Sequence, residues 1–284
     1  MRESSPMPAV PAVSAMPQPV RLFCLAHAGG SVTLYRRWAR SLPRGVQVEQ
    51  LELPGHGARR ALPAHTEWQA LIDALVIEVE ARLVPTMPFA VFGHSMGALV
   101  GLELIHALRE RHGLAPVWFG ASASVAPTRR KWEAHWHDCT HEAMVDRLRE
   151  LGGTPEELLE DRDFIHFMLP MLRADFHLCG TYRREMMSAG ALGRAPLDCP
   201  IDVFIGRDDS ATACAEDVEA WRDETRGVCA LHRFDGGHFF LDDAPEPVLT
   251  RVATSLAGAL GQTVNSIATP LSESSVSEDE AWTY

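Results

Sequence analysis

Phe89-Ala90-Val91-Phe92-Gly93-His94-Ser95-Met96-Gly97-Ala98-Leu99 reads as a strand, a sharp turn and the start of a helix, with a serine at the apex. The Gly-x-Ser-x-Gly spacing is that of a nucleophile elbow. Ser95 must take a strained backbone conformation there, and Gly93 and Gly97 carry no Cβ to collide with the turn. A short glycine-flanked pattern also occurs in surface turns, so its surroundings decide. The run before it is apolar and strand-like, and Ala98-Leu99-Val100-Gly101-Leu102-Glu103-Leu104-Ile105 continues as a buried helix. In that setting the serine hydroxyl stands clear of a sheet. The Met96 amide, at a helix N-terminus, then faces the place where negative charge develops on an attacked carbonyl.

Strands and helices alternate on both sides of the elbow. Upstream, Val20 to Ala26 is the first expected strand and runs into His27-Ala28-Gly29-Gly30-Ser31, a glycine-rich loop that lets backbone approach a ligand closely. Its Ala28 amide is the expected second donor to an oxyanion. The loop lacks the Lys-Ser/Thr ending of a phosphate-binding loop and the spacing of a dinucleotide fingerprint. Val32 to Leu42 is expected as a helix and Val46 to Leu51 as a strand leading to Pro54-Gly55-His56-Gly57. Trp68, Leu71, Ile72, Leu75, Val76, Val79 and Leu83 recur at helical spacing. Downstream, Pro116 to Ala121, Ile201 to Gly206 and Val228 to Phe234 are the next strands, and Glu246 to Leu260 is a closing helix. Between residues 127 and 194 the alternation stops and Leu- and Met-rich helical sequence takes over. That is too long for a loop and is expected as a helical lid insertion with Met168 and Leu172 facing an acyl chamber.

The chain has 284 residues, of which 46% are hydrophobic and 23% charged, enough for one large α/β domain over residues 19–261. Residues 1–18, rich in Pro, Ala and Ser, read as a disordered leader without the apolar core of a signal peptide, and residues 262–284 as a disordered acidic tail. The expected location is therefore the cytoplasm, with no membrane association. A formal net charge of −12 argues against nucleic-acid binding. Arg36, Arg37 and Arg40, or Arg129, Arg130 and Lys131, could dock an acidic partner or simply form solvated faces. The six cysteines lack C-x-x-C spacing and read as isolated thiols. In His135-Trp136-His137-Asp138-Cys139-Thr140-His141 a helix would bring only His137 and His141 together, so no metal site is expected.

A serine hydroxyl needs a base, and the base an orienting carboxylate. Ser95, Asp209 and His238 follow one another in the order of an α/β-hydrolase, each just beyond a strand. In a parallel sheet those ends share one edge, so the three converge. Asp208 competes with Asp209, which is favoured by its three-residue step from Gly206. The fold class expected is thus α/β, an α/β-hydrolase with a mostly parallel central sheet flanked by helices. Such a site performs two-step acyl transfer without metal or organic cofactor. His27, Gly29 and Phe239 complete the expected substrate-binding set.

The motifs His27-Ala28-Gly29-Gly30, Leu53-Pro54-Gly55-His56-Gly57-Ala58-Arg59, Gly93-His94-Ser95-Met96-Gly97, Leu151-Gly152-Gly153-Thr154-Pro155, Leu169-Pro170-Met171-Leu172-Arg173-Ala174-Asp175-Phe176 and Gly236-Gly237-His238-Phe239-Phe240 closely resemble the type II thioesterases that edit polyketide synthases and nonribosomal peptide synthetases. The resemblance implies hydrolysis of acyl thioesters held on the 4'-phosphopantetheine arm of acyl or peptidyl carrier proteins, and a monomer is the natural default for an enzyme that visits carrier domains. It also implies the roles given above to Ser95, Asp209, His238, Ala28 and Met96. Two positions depart from the family pattern: His56 stands where arginine is usual, and Ser210 to Cys214 lacks the proline common after the acid.

Overall fold

The computed structural model describes residues 15–268. Six parallel strands form one sheet: β1 (Ala15–Leu25), β2 (Arg44–Gln50), β3 (Phe89–His94), β4 (Phe119–Ser122), β5 (Ile201–Gly206) and β6 (Cys229–Phe234), in the order β2-β1-β3-β4-β5-β6. The order reverses between β1 and β3. Loops leaving these two neighbours diverge at that point and open a crevice beyond their carboxyl ends.

Alternation along the strands splits the core into two layers. Phe23, Leu25 and Val91 face α2 (Trp68–Glu80) and α3 (Met96–His112), packing with Trp68, Leu71, Leu75, Leu99 and Leu102. Leu22, Cys24, Ala90 and Phe92 face the other way, toward α1 (Trp38–Ser41) and the closing helix (Pro245–Ala268), where Trp38, Val248, Val252 and Leu256 close the layer. Helix α3 is buried all along its first three turns, Met96 to Leu108, which explains its continuous apolar sequence.

Several boundaries differ from the expectation. Strand β1 starts at Ala15, so residues 15–18 are strand rather than leader, and the closing helix carries on past Leu260 to Ala268. Residues 1–14 of the expected leader and 269–284 of the expected tail lie outside the described residues. The helix expected over Val32–Leu42 is replaced by a 3-10 turn, Val32–Tyr35, and the four-residue α1. Tyr35 Oη is anchored 2.7 Å from the Leu25 carbonyl, and β-branched Val32 and Thr33 are weak helix formers. Pro43 holds Leu42 in an extended conformation and ends the segment.

Between β4 and β5 lie α4 (His141–Leu151), α5 (Glu156–Glu160) and the 27-residue α6 (Arg162–Ser188). Asp161 caps α6 by accepting from the amides of Asp163 and Phe164. The expected insertion is not one unit. Leu169, Leu172 and Phe176 of α6 pack with Trp136 and Met144 above the sheet edge, whereas Leu178, Cys179, Tyr182 and Met186 belong to the main core. Leu158 of α5 belongs to neither group and is 38% exposed.

The lower half of α6 is also held by polar groups. Trp68 Nε1 donates to the Leu178 carbonyl (2.9 Å), and buried Glu103 accepts from Tyr182 Oη (2.7 Å) and Arg194 Nη2 (2.5 Å). Burial and the nearby Glu103 push the Glu224 carboxyl up to about 7. Arg194→Ala strips Glu103 of its charge partner, and uncompensated buried charges cost several kcal/mol. Arg194 is itself one-fifth exposed, so a loss of about 2–3 kcal/mol is expected, read as a lower denaturation midpoint at unchanged m-value. A loss below about 0.5 kcal/mol would mean that solvent already satisfies Glu103.

Candidate active site

Ser95 joins β3 to α3 with φ 56° and ψ −112°, and only Ala123 shares a positive φ among the described non-glycine residues. Such a conformation stores on the order of 1–3 kcal/mol and must be held from outside. Its amide donates to the Ser122 carbonyl on β4 (2.7 Å). A Cβ at Gly93 would lie 2.0 Å from the Gly97 carbonyl oxygen, and one at Gly97 2.3 Å from that of Leu25. Both obstacles are backbone and cannot rotate away, so only glycine fits at either position.

The other expected residues meet at this turn. His238, beyond β6, places Nε2 2.9 Å from Ser95 Oγ and Nδ1 3.0 Å from Asp209 Oδ2. Asp209, buried beyond β5, also accepts from the Ala211 amide at Oδ1 (2.9 Å) and from Thr212 Oγ1 at Oδ2 (3.1 Å). Asp208 is exposed, and its amide is bonded to the Gly236 carbonyl. The carboxylate next to the imidazole is therefore that of Asp209. With Nδ1–H given to the carboxylate, Nε2 turns its lone pair to the serine hydroxyl.

Two further histidines surround His238. His94 is buried with Nδ1 2.9 Å from Ser122 Oγ, and His27 packs edge-on against Phe239 with ring centroids 5.0 Å apart. Burial, then the charge of His238, lowers both; His27 falls to about 4. Both stay neutral near pH 7, so neither opposes a positive charge on His238.

A chamber of about 130 Å³ opens beside the serine, lined by Ser95, Ala28, His238, Trp136, Phe176 and Leu148 among others. His27, Gly29, Met168, Leu172 and Phe239 all line it as well, so the expected substrate-binding residues are brought together. Met96 begins α3, where first-turn amides have no intrahelical acceptor. The chamber shares His27, Gly29, Thr154, Phe164 and Met168 with a larger cleft of about 1,630 Å³ reaching Arg37 and Arg60.

Sequence reasoning passed over Asp175, 2% exposed on α6, whose Oδ2 accepts from the Gly29 amide (2.7 Å). A carboxylate within the apolar Leu169–Phe176 run was the available signal. His56, which stands where the family pattern has arginine, is buried and bonded to this same oxygen. His135 and His137 lie in a 3-10 turn that ends before α4, so His137 and His141 do not share a helix. Among the described residues no three His, Cys, Asp or Glu side chains are grouped for a metal, and no helix is long and apolar enough to cross a membrane.

The family model described as "Thioesterase domain" matches residues 20–256. The chain belongs to the thioesterase family. Relatives of this thioesterase include the gramicidin S biosynthesis protein GrsT of Aneurinibacillus migulanus, 33% identical over 222 residues, which span 78% of this chain and 83% of that protein. Thioesterase PikA5 of Streptomyces venezuelae is 33% identical over 229 residues, 79% of this chain and 76% of the relative. Among solved structures, the type II thioesterase BorB from the borrelidin biosynthetic cluster matches with a TM-score of 0.73 at 33% identity, covering 86% of this chain and 95% of BorB. The thioesterase shares its fold with BorB, that of an α/β-hydrolase, with a sheet parallel throughout.

Proposed function

We propose that this thioesterase removes acyl groups from the phosphopantetheine arm of carrier proteins in polyketide or nonribosomal peptide assembly, through an acyl-enzyme on Ser95. The observation that carries the reading is the continuous relay from Ser95 Oγ through His238 to buried Asp209, set at the wall of a chamber that Leu148, Leu172 and Phe176 share with polar side chains such as Arg130 and Glu133. Ser95 Oγ attacks the thioester carbonyl while His238 Nε2 takes the hydroxyl proton. The amides of Ala28 and Met96 hold the oxyanion, and each such donor contributes roughly a hundred- to a thousandfold in rate. Collapse breaks the C–S bond, and His238 returns its proton to the departing thiolate. Water then attacks the acyl-serine with His238 again as base, releasing the carboxylic acid and restoring Ser95. Each proton and electron pair is accounted for by these groups, so the cycle needs no metal or organic cofactor.

The carrier-bound substrate is supported by the relatives' setting and by the shape of the site. BorB comes from a biosynthetic cluster, and GrsT is a biosynthesis protein. The larger cleft adjoining the small chamber leaves room for an arm that delivers a compact acyl group. The test presents one acyl group on a carrier protein, on a pantetheine thioester and as a simple oxygen ester. A kcat/KM at least tenfold higher for the carrier-bound form is expected. Equal values, or a preference for the oxygen ester, would leave the relay standing and overturn the carrier assignment in favour of a small-ester esterase.

A further inference from the structure

Asp175 is an acidic side chain sealed inside the protein, yet its contacts reach the loop beside the nucleophile. Its Oδ2 accepts from the Gly29 amide and lies 2.7 Å from His56 Nε2, while His56 Nδ1 is 3.1 Å from the Pro54 carbonyl oxygen. A carboxylate and a carbonyl can only accept, so an imidazole satisfying both must carry a proton on each nitrogen. The resulting cation balances the buried carboxylate; the side chains of the pair are 3% and 2% exposed.

Three elements meet at this pair. Asp175 comes from α6, His56 from the loop after β2, and Gly29 from the loop after β1, next to Ala28. We propose that the His56–Asp175 ion pair is a positioning clamp for the oxyanion loop, fixing the Gly29 amide and through it the Ala28 amide only when α6 is seated over the sheet edge. The proposal rests on Ala28 serving the oxyanion. Neither member touches the reacting atoms; each acts through backbone held in place.

The clamp has a pH dependence of definite sign. Burial lowers the affinity of His56 for its second proton, but the hydrogen bond and charge of Asp175, the Pro54 carbonyl and the charge of Glu52 outweigh it and raise the group above its usual value. From the loop after β1, His27 also faces the site and stays neutral. The clamp is therefore complete at low pH and is lost as pH rises through the elevated His56 value. His238 requires the opposite, since it must be neutral to act as base.

The experiment measures kcat and KM across pH with a pantetheine thioester, together with the rate at which a fluorophosphonate labels the active serine. For Asp175→Ala, kcat should fall about ten- to a hundredfold with KM changed less than threefold, because small displacements of a catalytic donor cost about that much. Labelling should slow in parallel. His56→Arg supplies a cation that does not titrate, and should keep kcat within about threefold while abolishing the alkaline decline of the parent enzyme. If Asp175→Ala does not fold, the His56→Arg profile decides alone. An alkaline limb unchanged in His56→Arg, or wild-type kcat and labelling in folded Asp175→Ala, would overturn the clamp. Failure of the Ser95 reading looks different: the parent enzyme would then resist the label.

Discussion

Ser95→Ala is expected to remove thioester hydrolysis, with kcat falling on the order of a millionfold, as loss of the serine does in comparable triads. The fold should survive. Alanine inherits the φ of 56°, which is held by the Ser122 carbonyl and by the backbone packed around Gly93 and Gly97, not by the hydroxyl. What changes is local: His238 Nε2 loses its partner in a chamber wide enough for water to take over the hydrogen bond. The melting temperature should therefore stay within about 3 °C of the parent, a shift corresponding to roughly 1 kcal/mol for a domain of this size. The fluorophosphonate label should disappear with the activity. Turnover within tenfold of the parent in a folded variant would mean that another group attacks the carbonyl, and would remove the basis for the acyl-enzyme.

The elbow could be read from sequence because its requirements are local. Gly93 and Gly97 are demanded by backbone lying within a few residues or on the adjoining strand, and their spacing is fixed by the turn itself. The convergence of Ser95, Asp209 and His238 was legible for another reason. Each follows an apolar run of strand length, and a parallel sheet carries all strand ends to one edge. Contacts between elements distant in the chain had no such signature. Asp175 and His56 are 119 residues apart, and nothing in either local sequence announces the other. The division of α6 followed the same pattern. Its periodicity is continuous from Ile165 to Met186, and only the tertiary arrangement decides that Leu172 faces the chamber while Tyr182 joins the core. The segment after Ser31 failed through anchoring: Tyr35 is tied to the Leu25 carbonyl and Leu42 is constrained by Pro43, so an apolar pattern of helical spacing was broken into two short turns.

Asp209→Asn should lower kcat about ten-thousandfold while Asp208→Asn, at an exposed position, leaves it within about threefold. The size of the first effect depends on which way the new amide turns, and the surroundings decide it. The Ala211 amide donates to Oδ1 and can do nothing else, whereas the Thr212 hydroxyl at Oδ2 can rotate to accept. The asparagine oxygen is thus held at the Ala211 end, and its NH2 group takes the place of Oδ2, facing His238 Nδ1. A donor there moves the imidazole proton to Nε2, the atom that must receive the proton of Ser95. The base is then blocked in the wrong tautomer and no carboxylate stabilises the imidazolium that forms during attack. Because neither oxygen position changes shape, the substitution should leave KM within about threefold and the deficit almost wholly in kcat, the pattern of an interaction made in the transition state. Proline is absent after this acid, and Asp209 itself caps the 3-10 turn Ser210–Thr212 that follows. A large loss in Asp208→Asn with a small one in Asp209→Asn would reassign the acid, and would require Asp208 to leave its solvent-exposed position and reach His238 during turnover.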